Sequence, residues 1–330
     1  MINFLGEYSI FLAKIVTLVV ALLIIVGFIA AAGKERHKEK LKIKKLNDEY
    51  KEMREALQRK VLPKKEFKQF VKAEKRGSKQ KSRQEQQQKK RIFVLNFKGD
   101  LKAAMVENLR EEITTVLNVA TLKDEIVVRI ESPGGMIHAY GLAASQLRRI
   151  KERNIPLLAF IDKVAASGGY LMASVADRIL AAPFAVVGSI GVVAQLPNFN
   201  RLLKKHNVEY EQVTAGEYKR TISLFGENTA KGRKKAQTEV EEAHELFKQF
   251  VVTNRPGLDI KKVATGEPWY GAQAIKLGLV DQLMTSDDYL LAASETADLY
   301  EITYVVPKKK LGKLAASVRS VLETLGFYIN

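Results

Sequence analysis

From Ile92 to Ala182, short apolar runs alternate with helix-patterned stretches, and that alternation limits the fold more than any other feature of the chain. IFVLNF (92–97), EIVVRI (125–130), PLLAFI (156–161) and RILAA (178–182) have strand length and strand composition, and the first is bounded by Gly99-Asp100. Between them, residues 103–118, 139–153 and the small-residue stretch 168–176 read as helices, the second with Leu142, Leu147 and Ile150 inward. Strands separated by helices pair in parallel, so the pattern predicts an α/β fold with a mostly parallel sheet under covering helices. Further along come Val186–Gly191, a predicted helix around 198–206 and a predicted strand VEYEQV (208–213). A charged helix near 230–254 comes next, then a helix Ala272–Leu277 after Trp269-Tyr270-Gly271, and strand candidates at Leu279-Val280-Asp281 and Tyr300–Val306.

Ahead of this domain the chain has a different character. Residues 15–32 are 18 uncharged, mostly apolar positions, and with Tyr8 to Ala13 in front they are long enough to span the ~30 Å hydrocarbon core of a bilayer. Lys14 sits near one end, where its side chain can snorkel. A cleavable signal peptide would carry a basic start and a shorter apolar core, so residues 1–33 are expected to be a retained single-pass anchor. Seven Lys/Arg fall in 34–45 and none precedes Lys14, which by the positive-inside rule places the chain beyond the anchor in the cytoplasm. Residues 34–91 form a basic connector. Leu41, Leu46, Tyr50, Met53 and Leu57 suggest a charged helix interrupted by Pro63, and the glutamine-rich stretch 77–91 reads as disordered or frayed. The expected catalytic domain covers 92–305. An amphipathic helix in 306–330, with Leu311, Leu314, Val318, Val321, Leu322 and Leu325 on one face, would lie on a membrane, on a partner subunit or on its own domain.

The totals exclude several classes of function. The chain has no cysteine, hence no disulfide, thiolate metal site or cysteine nucleophile, and its four histidines (37, 138, 206 and 244) are too scattered for a metal centre. No cofactor is expected. The net charge of +17 is concentrated in residues 34–91, with 23 basic and 9 acidic side chains, which leaves only +3 for the rest. That basic segment has three aromatics, Tyr50, Phe67 and Phe70, and no base-reading pattern. It suits solvent or anionic lipid, and no nucleic-acid partner is expected.

The chemistry concentrates in four short motifs. Ser167 lies in KVAASGGY (163–170), between small residues that permit a tight turn and close substrate approach at a helix N-terminus. An N-cap serine beside a packed helix would look the same. Ser132-Pro133-Gly134-Gly135 follows a strand and could present backbone amides to an oxyanion, or be a plain turn. No histidine lies between Ser167 and Lys205; His138 is near the glycine turn but would need a carboxylate to orient it. Lys219, in AGEYKR (215–220), is the better base, provided that burial or a like charge keeps it neutral. Its neighbours Ala215, Gly216, Tyr218, Ile222, Leu224 and Phe225 are apolar enough to allow that. Ser189, in VVGSIGV (186–192), could meet the lysine amine; as a phosphate loop that run lacks the Walker pattern.

Taken in order, EIVVRIESPGG (125–135), KVAASGGY, VVGSIGV and AGEYKR resemble the S49 peptidases, the signal peptide peptidase A group and, with this anchor and basic linker, its SohB-type enzymes. The resemblance covers roughly 92–285. It implies a ClpP/crotonase-like core and a Ser-Lys dyad, with Ser167 as nucleophile, Lys219 as general base and Ser189 orienting the lysine. Gly134, Gly135 and Gly168 fall where backbone amides hold the oxyanion, with the donor between the first two left open. It further implies a serine endopeptidase acting on signal-peptide or membrane-derived peptides, in a homo-oligomer whose sites form between subunits, at the bacterial inner membrane. On the side of that membrane the resemblance points outward and the charge rule inward, and more weight goes to the charge, since 23 basic residues would have to be translocated. Two alternatives stand beside this reading: a crotonase-type acyl-CoA enzyme working through Glu131 and Glu217, and a catalytically silent membrane scaffold.

Overall fold

A computed structural model of the chain describes residues 11–17, 41–84 and 89–305. They divide into two units. The first, Met1–Lys42 with Val305–Asn330, is described chiefly at residues 11–17, which are helical with Phe11, Leu12, Ile15 and Val16 exposed. Most of the expected anchor, and the whole of the expected amphipathic helix in 306–330, lie outside the described residues. Among the described residues no helix is long and apolar enough to cross a membrane.

The second unit, Ile43–Tyr304, begins within β1 (Leu41–Lys45) and continues through a helical hairpin, α1 (Leu46–Val61) and α2 (Lys64–Gln84). Then come β2 (Arg91–Lys98), α3 (Val106–Leu117), β3 (Glu125–Glu131), α4 (Ile137–Lys151), β4 (Leu157–Ile161), β5 (Val164–Ala166), α5 (Gly168–Ala173), β6 (Arg178–Ala181) and β7 (Val186–Gly188). The remainder is α6 (Asn200–Lys205), α7 (Ala230–Asn254), α8 (Ile260–Val263), β8 (Pro268–Tyr270), α9 (Gly271–Ala274), β9 (Gln282–Leu283), α10 (Ser286–Ala293) and β10 (Asp298–Tyr304).

The main sheet has the order β1-β10-β2-β3-β4-β6-β9, and its pairings from β10 to β9 are all parallel. Parallel strands carrying helices on both faces must be apolar on both faces, and β2 to β4 obey this. On one face Ile92, Val94, Val127, Leu158, Phe160, Leu180 and Leu299 pack with Leu46, Leu290 and Ala297. The alternate residues Leu95, Phe97, Ile126, Val128, Ile130, Leu157 and Ala159 are equally buried. A second sheet, β5-β7-β8, is small and mixed: β5 pairs β7 in parallel and β7 pairs β8 antiparallel. Ser132, just past β3, bridges to Ala165 and links the two sheets.

Several expectations change. The compact unit starts at Ile43, not Ile92, because α1 contributes Leu46 to the core. Asn47 also ties the hairpin to the C-terminal strand: its amide donates to the Ser294 (3.0 Å) and Ala297 (2.9 Å) carbonyls and accepts from the Leu299 N–H (2.8 Å). Leu41–Lys45 is a strand, and the helix resumes past Pro63 as far as Gln84. Leu142 faces solvent at 43% exposure, because Ala143 and Ala144 take the inward positions beside Leu147 and Ile150. VEYEQV (208–213) is not a strand: it lies without regular structure, with Val208, Tyr210 and Val213 exposed.

Candidate active site

Ser167 stands between β5 and α5, at the helix N-cap, with φ 51° and ψ −119°. A non-glycine residue at positive φ is strained by about 1–3 kcal/mol and persists only where its surroundings hold it. Here its N–H donates to the Gly188 carbonyl (2.8 Å) and its own carbonyl accepts from the Leu171 N–H (2.9 Å). The side chain is half-buried and faces no bulk, because its neighbour across the turn is Gly134. That glycine has φ +92°, and a Cβ there would sit 2.7 Å from the Ser167 Cβ and 2.8 Å from both the Ala166 carbonyl oxygen and the Gly168 nitrogen. Only glycine fits this position, on backbone conformation and on space alike.

The SPGG turn therefore lies, through Gly134, directly against Ser167. The Gly134 N–H donates to Ser132 Oγ at 3.1 Å. Among the described residues, the amides of Gly135 and Gly168 have no protein acceptor. The Gly168 amide, at the start of α5, lies beside Gly134 and next to Ser167 in the chain, a place where a backbone donor could meet a developing negative charge.

Ser189 comes to the same place. Ala166 and Gly188 are register partners in the β5–β7 pair, so Ser167 and Ser189 each follow a paired strand end, and the Ser167 N–H reaches across to the Gly188 carbonyl. Ser189 also has φ 51°, and its N–H donates to the Glu267 carbonyl at 2.8 Å.

Lys219 does not join them within the chain. It sits on an arm, residues 192–229, that is exposed along most of its length; Lys219 itself is exposed. Among the described residues no hydrogen bond links Lys219 to Ser167 or Ser189. The apolar residues expected to bury it are open too, with Tyr218 at 48%, Leu224 at 36% and Phe225 at 41% exposure. The arm's internal packing is a small aromatic cluster in which the Phe225 ring lies 6.1 Å from Phe199 and 5.7 Å from Tyr210. These side chains meet one another but find no core to enter.

The carboxylates of the acyl-CoA alternative are poorly disposed for proton transfer. Glu131 lies between Lys163 and Lys98, 3.3 Å from each, and the Lys163 hydrogen bond holds its carboxyl below the ordinary range. Glu217 is exposed and paired with Lys231, which lowers it likewise. His138 is exposed on the first turn of α4. Among the described residues no group of three or more His, Cys, Asp or Glu could hold a metal ion.

Sequence reasoning named Ser132 only as the opening residue of the SPGG turn and missed Tyr140; both are fully buried. The signal was present, since a tyrosine on the inward face of a helix must find a partner for its hydroxyl, and Ser132 opens the SPGG run.

Comparison with known proteins agrees with the motif reading. The family model described as "Peptidase family S49 N-terminal" matches residues 3–147, and "Peptidase family S49" matches 149–300. A protein of Haemophilus influenzae named "Probable protease SohB" is 48% identical over 330 residues, 95% of this chain and 93% of its own length. One of the same name from Buchnera aphidicola subsp. Acyrthosiphon pisum is 46% identical over 329 residues, 98% of this chain and 97% of its own. Among solved structures, a mutant of the 1510-N membrane-bound stomatin-specific protease in complex with a substrate peptide superposes with a TM-score of 0.43 at 15% identity, covering 70% of this chain and 99% of that one.

Proposed function

The chain belongs to peptidase family S49, and from that premise we propose that it is a membrane-anchored serine endopeptidase with a Ser167–Lys219 dyad completed between subunits. The observation that carries the proposal is Ser167 itself, a strained serine at a helix start, pressed against Gly134 and followed by the open amide of Gly168. In the reaction, Ser167 Oγ attacks the peptide carbonyl carbon while Lys219 Nζ takes its proton. The carbonyl oxygen becomes an oxyanion received by the Gly135 and Gly168 amides, with Gly134 excluded because its N–H is already bonded to Ser132. Collapse expels the amine, which recovers the proton from Lys219, and water then hydrolyses the acyl-enzyme by the same route in reverse. Ser189, one strand away, orients the lysine.

A lysine base works only where burial or a like charge keeps it neutral. The exposed arm therefore needs a covering surface, and a neighbouring copy of the chain supplies it. Residues 15–32 hold the enzyme in the bacterial inner membrane and the basic segment behind them keeps the domain on the cytoplasmic side. The substrates are extended peptides, signal-peptide remnants or membrane-derived segments, bound as an added strand.

The test is hydrolysis of a peptide library by the full-length chain in detergent, with fluorophosphonate labelling, for the wild type, Ser167→Ala, Lys219→Ala and a co-refolded mixture of the two variants. Turnover with a label on Ser167, loss of turnover in each variant and its partial return in the mixture are the expected results. Turnover that survives Ser167→Ala would overturn the nucleophile. A mixture that stays dead, while each single variant forms the wild-type oligomer, would place the dyad within one chain.

A further inference from the structure

Three strand-end turns converge beneath Ser167, and one side chain touches all of them. Tyr140, on the first full turn of α4, is completely buried. A Cβ placed on Gly168 would overlap its ring, and one placed on Gly99 would overlap its hydroxyl. The hydroxyl donates to the Asp100 carbonyl at 2.7 Å and lies 2.5 Å from Ser132 Oγ. A phenol has one proton, so with that proton on Asp100 it accepts from Ser132. Ser132 has then spent its own proton, and its lone pair receives the Gly134 N–H at 3.1 Å. The result is a directed chain, Gly134 N–H to Ser132 O–H to Tyr140 O–H to the Asp100 carbonyl. Burial pushes the Tyr140 phenol above its ordinary value, so it remains a donor at neutral pH.

We propose that Ser132 and Tyr140 are positioning residues for hydrolysis: their chain of hydroxyls locks the SPGG turn with Gly134 turned inward, which fixes the Gly135 amide as the oxyanion donor beside Gly168. The proposal rests on Ser167 being the nucleophile. Its physical basis is that a donor helps a transition state only when it is already aimed; the turn, with φ +92° at Gly134, is otherwise tied by the Met136 N–H, which donates to the Leu101 carbonyl at 2.8 Å. Ser132 adds a second restraint, since its backbone N–H donates to the Val164 carbonyl and its carbonyl accepts from the Ala166 N–H. The hydroxyl chain is thus anchored to the strand that delivers Ser167.

The experiment compares Tyr140→Phe, Ser132→Ala and the double variant with wild type, in the full-length chain, by three readouts. Steady-state turnover should show kcat lowered about 10- to 100-fold, less than the loss of a whole donor, with KM within about twofold. Fluorophosphonate titration should still label every Ser167, so the loss is not a fraction of unfolded protein. The double variant should be no worse than either single one, because a chain broken once is broken. Unchanged kcat, or a fall in kcat matched by a fall in the titrated fraction, overturns the proposal. Hydrogen exchange decides independently of activity: amides in 132–136 should exchange faster in Tyr140→Phe, with α7 unchanged. Unaltered exchange at 132–136 also overturns it. If wild type neither turns over nor labels, the nucleophile reading has failed, and the exchange result still decides whether the hydroxyl chain holds the turn.

Discussion

Glu112 is a carboxyl in the wrong place for a charge, and replacing it tests the energetics of this core. It lies on α3 at 1% exposure. One oxygen accepts the Tyr304 N–H at 2.8 Å and the other is buried without a partner. Burial pushes its pKa from 4.5 up to about 7. Because the folded chain holds this proton more tightly than the unfolded one, the contribution is full at low pH and is lost as pH rises between the two values. Integrated from pH 5 to pH 8, a site moving from 4.5 to about 7 lowers stability by about 2.5 kcal/mol, since each pKa unit is worth about 1.4 kcal/mol. Glu112→Gln keeps an acceptor for Tyr304 and cannot ionise. Whatever its new amide costs in packing does not vary with pH and cancels in the comparison. The assay is urea unfolding of the full-length chain in non-ionic detergent at pH 5 and pH 8, followed by the fluorescence of Trp269, the only tryptophan. Wild type should lose about 2.5 kcal/mol more than Glu112→Gln over this range. Equal pH dependence in the two proteins would refute the reasoning and mean that the Glu112 site is hydrated.

Gly134→Ala places a methyl against the Ser167 Cβ at a φ that alanine avoids; turnover should fall by at least about 100-fold while the oligomer still assembles, and near-wild-type kcat would contradict the close approach. Asn47→Ala leaves two carbonyls and one N–H without their partner; a loss of about 2–3 kcal/mol in the same unfolding assay is expected, and a loss under about 0.5 kcal/mol would mean that α1 is not tied to β10. Phe225→Asp charges the arm's exposed aromatic cluster; native mass spectrometry should show a smaller assembly and turnover should drop at least about tenfold, whereas an unchanged assembly would remove the arm from the subunit interface.

The strands β2 to β4 were legible because parallel strands buried on both faces are written as near-continuous apolar runs, here broken by Asn96 and Arg129. Their ends were legible because Pro133, the glycines and Ser167 mark where each run must stop. Pattern failed where tertiary contact decides. LKIKK offers only Leu41 and Ile43 as alternating apolar residues, too few to separate a strand from the start of a helix, and its place beside β10 comes from a strand some 250 residues away. VEYEQV alternates correctly, yet no neighbouring strand receives it, so the local preference goes unrealised. Lys219 shows the same limit: an apolar neighbourhood in sequence is a request for burial, and the single chain leaves Lys219, Tyr218 and Phe225 exposed. The glycine turn was visible, but the hydroxyl chain under it was not, because Ser132 and Tyr140 meet only once α4 is packed.

The position of β10 bears on how the enzyme is made. It enters the sheet between β1 and β2, so the seat beside β2 stays vacant while the ribosome adds about 200 more residues. Until Asp298–Tyr304 emerges, β2 presents a long, apolar, unpaired edge, the kind that joins wrong partners. β1 has no strand to meet, and Asn47 has nothing to hold. A chain cut short before residue 298 would therefore carry the whole Ser167 motif and still lack the strand that closes its sheet. The domain thus depends, for the pairing of that edge of β2, on the strand that comes last among the described elements.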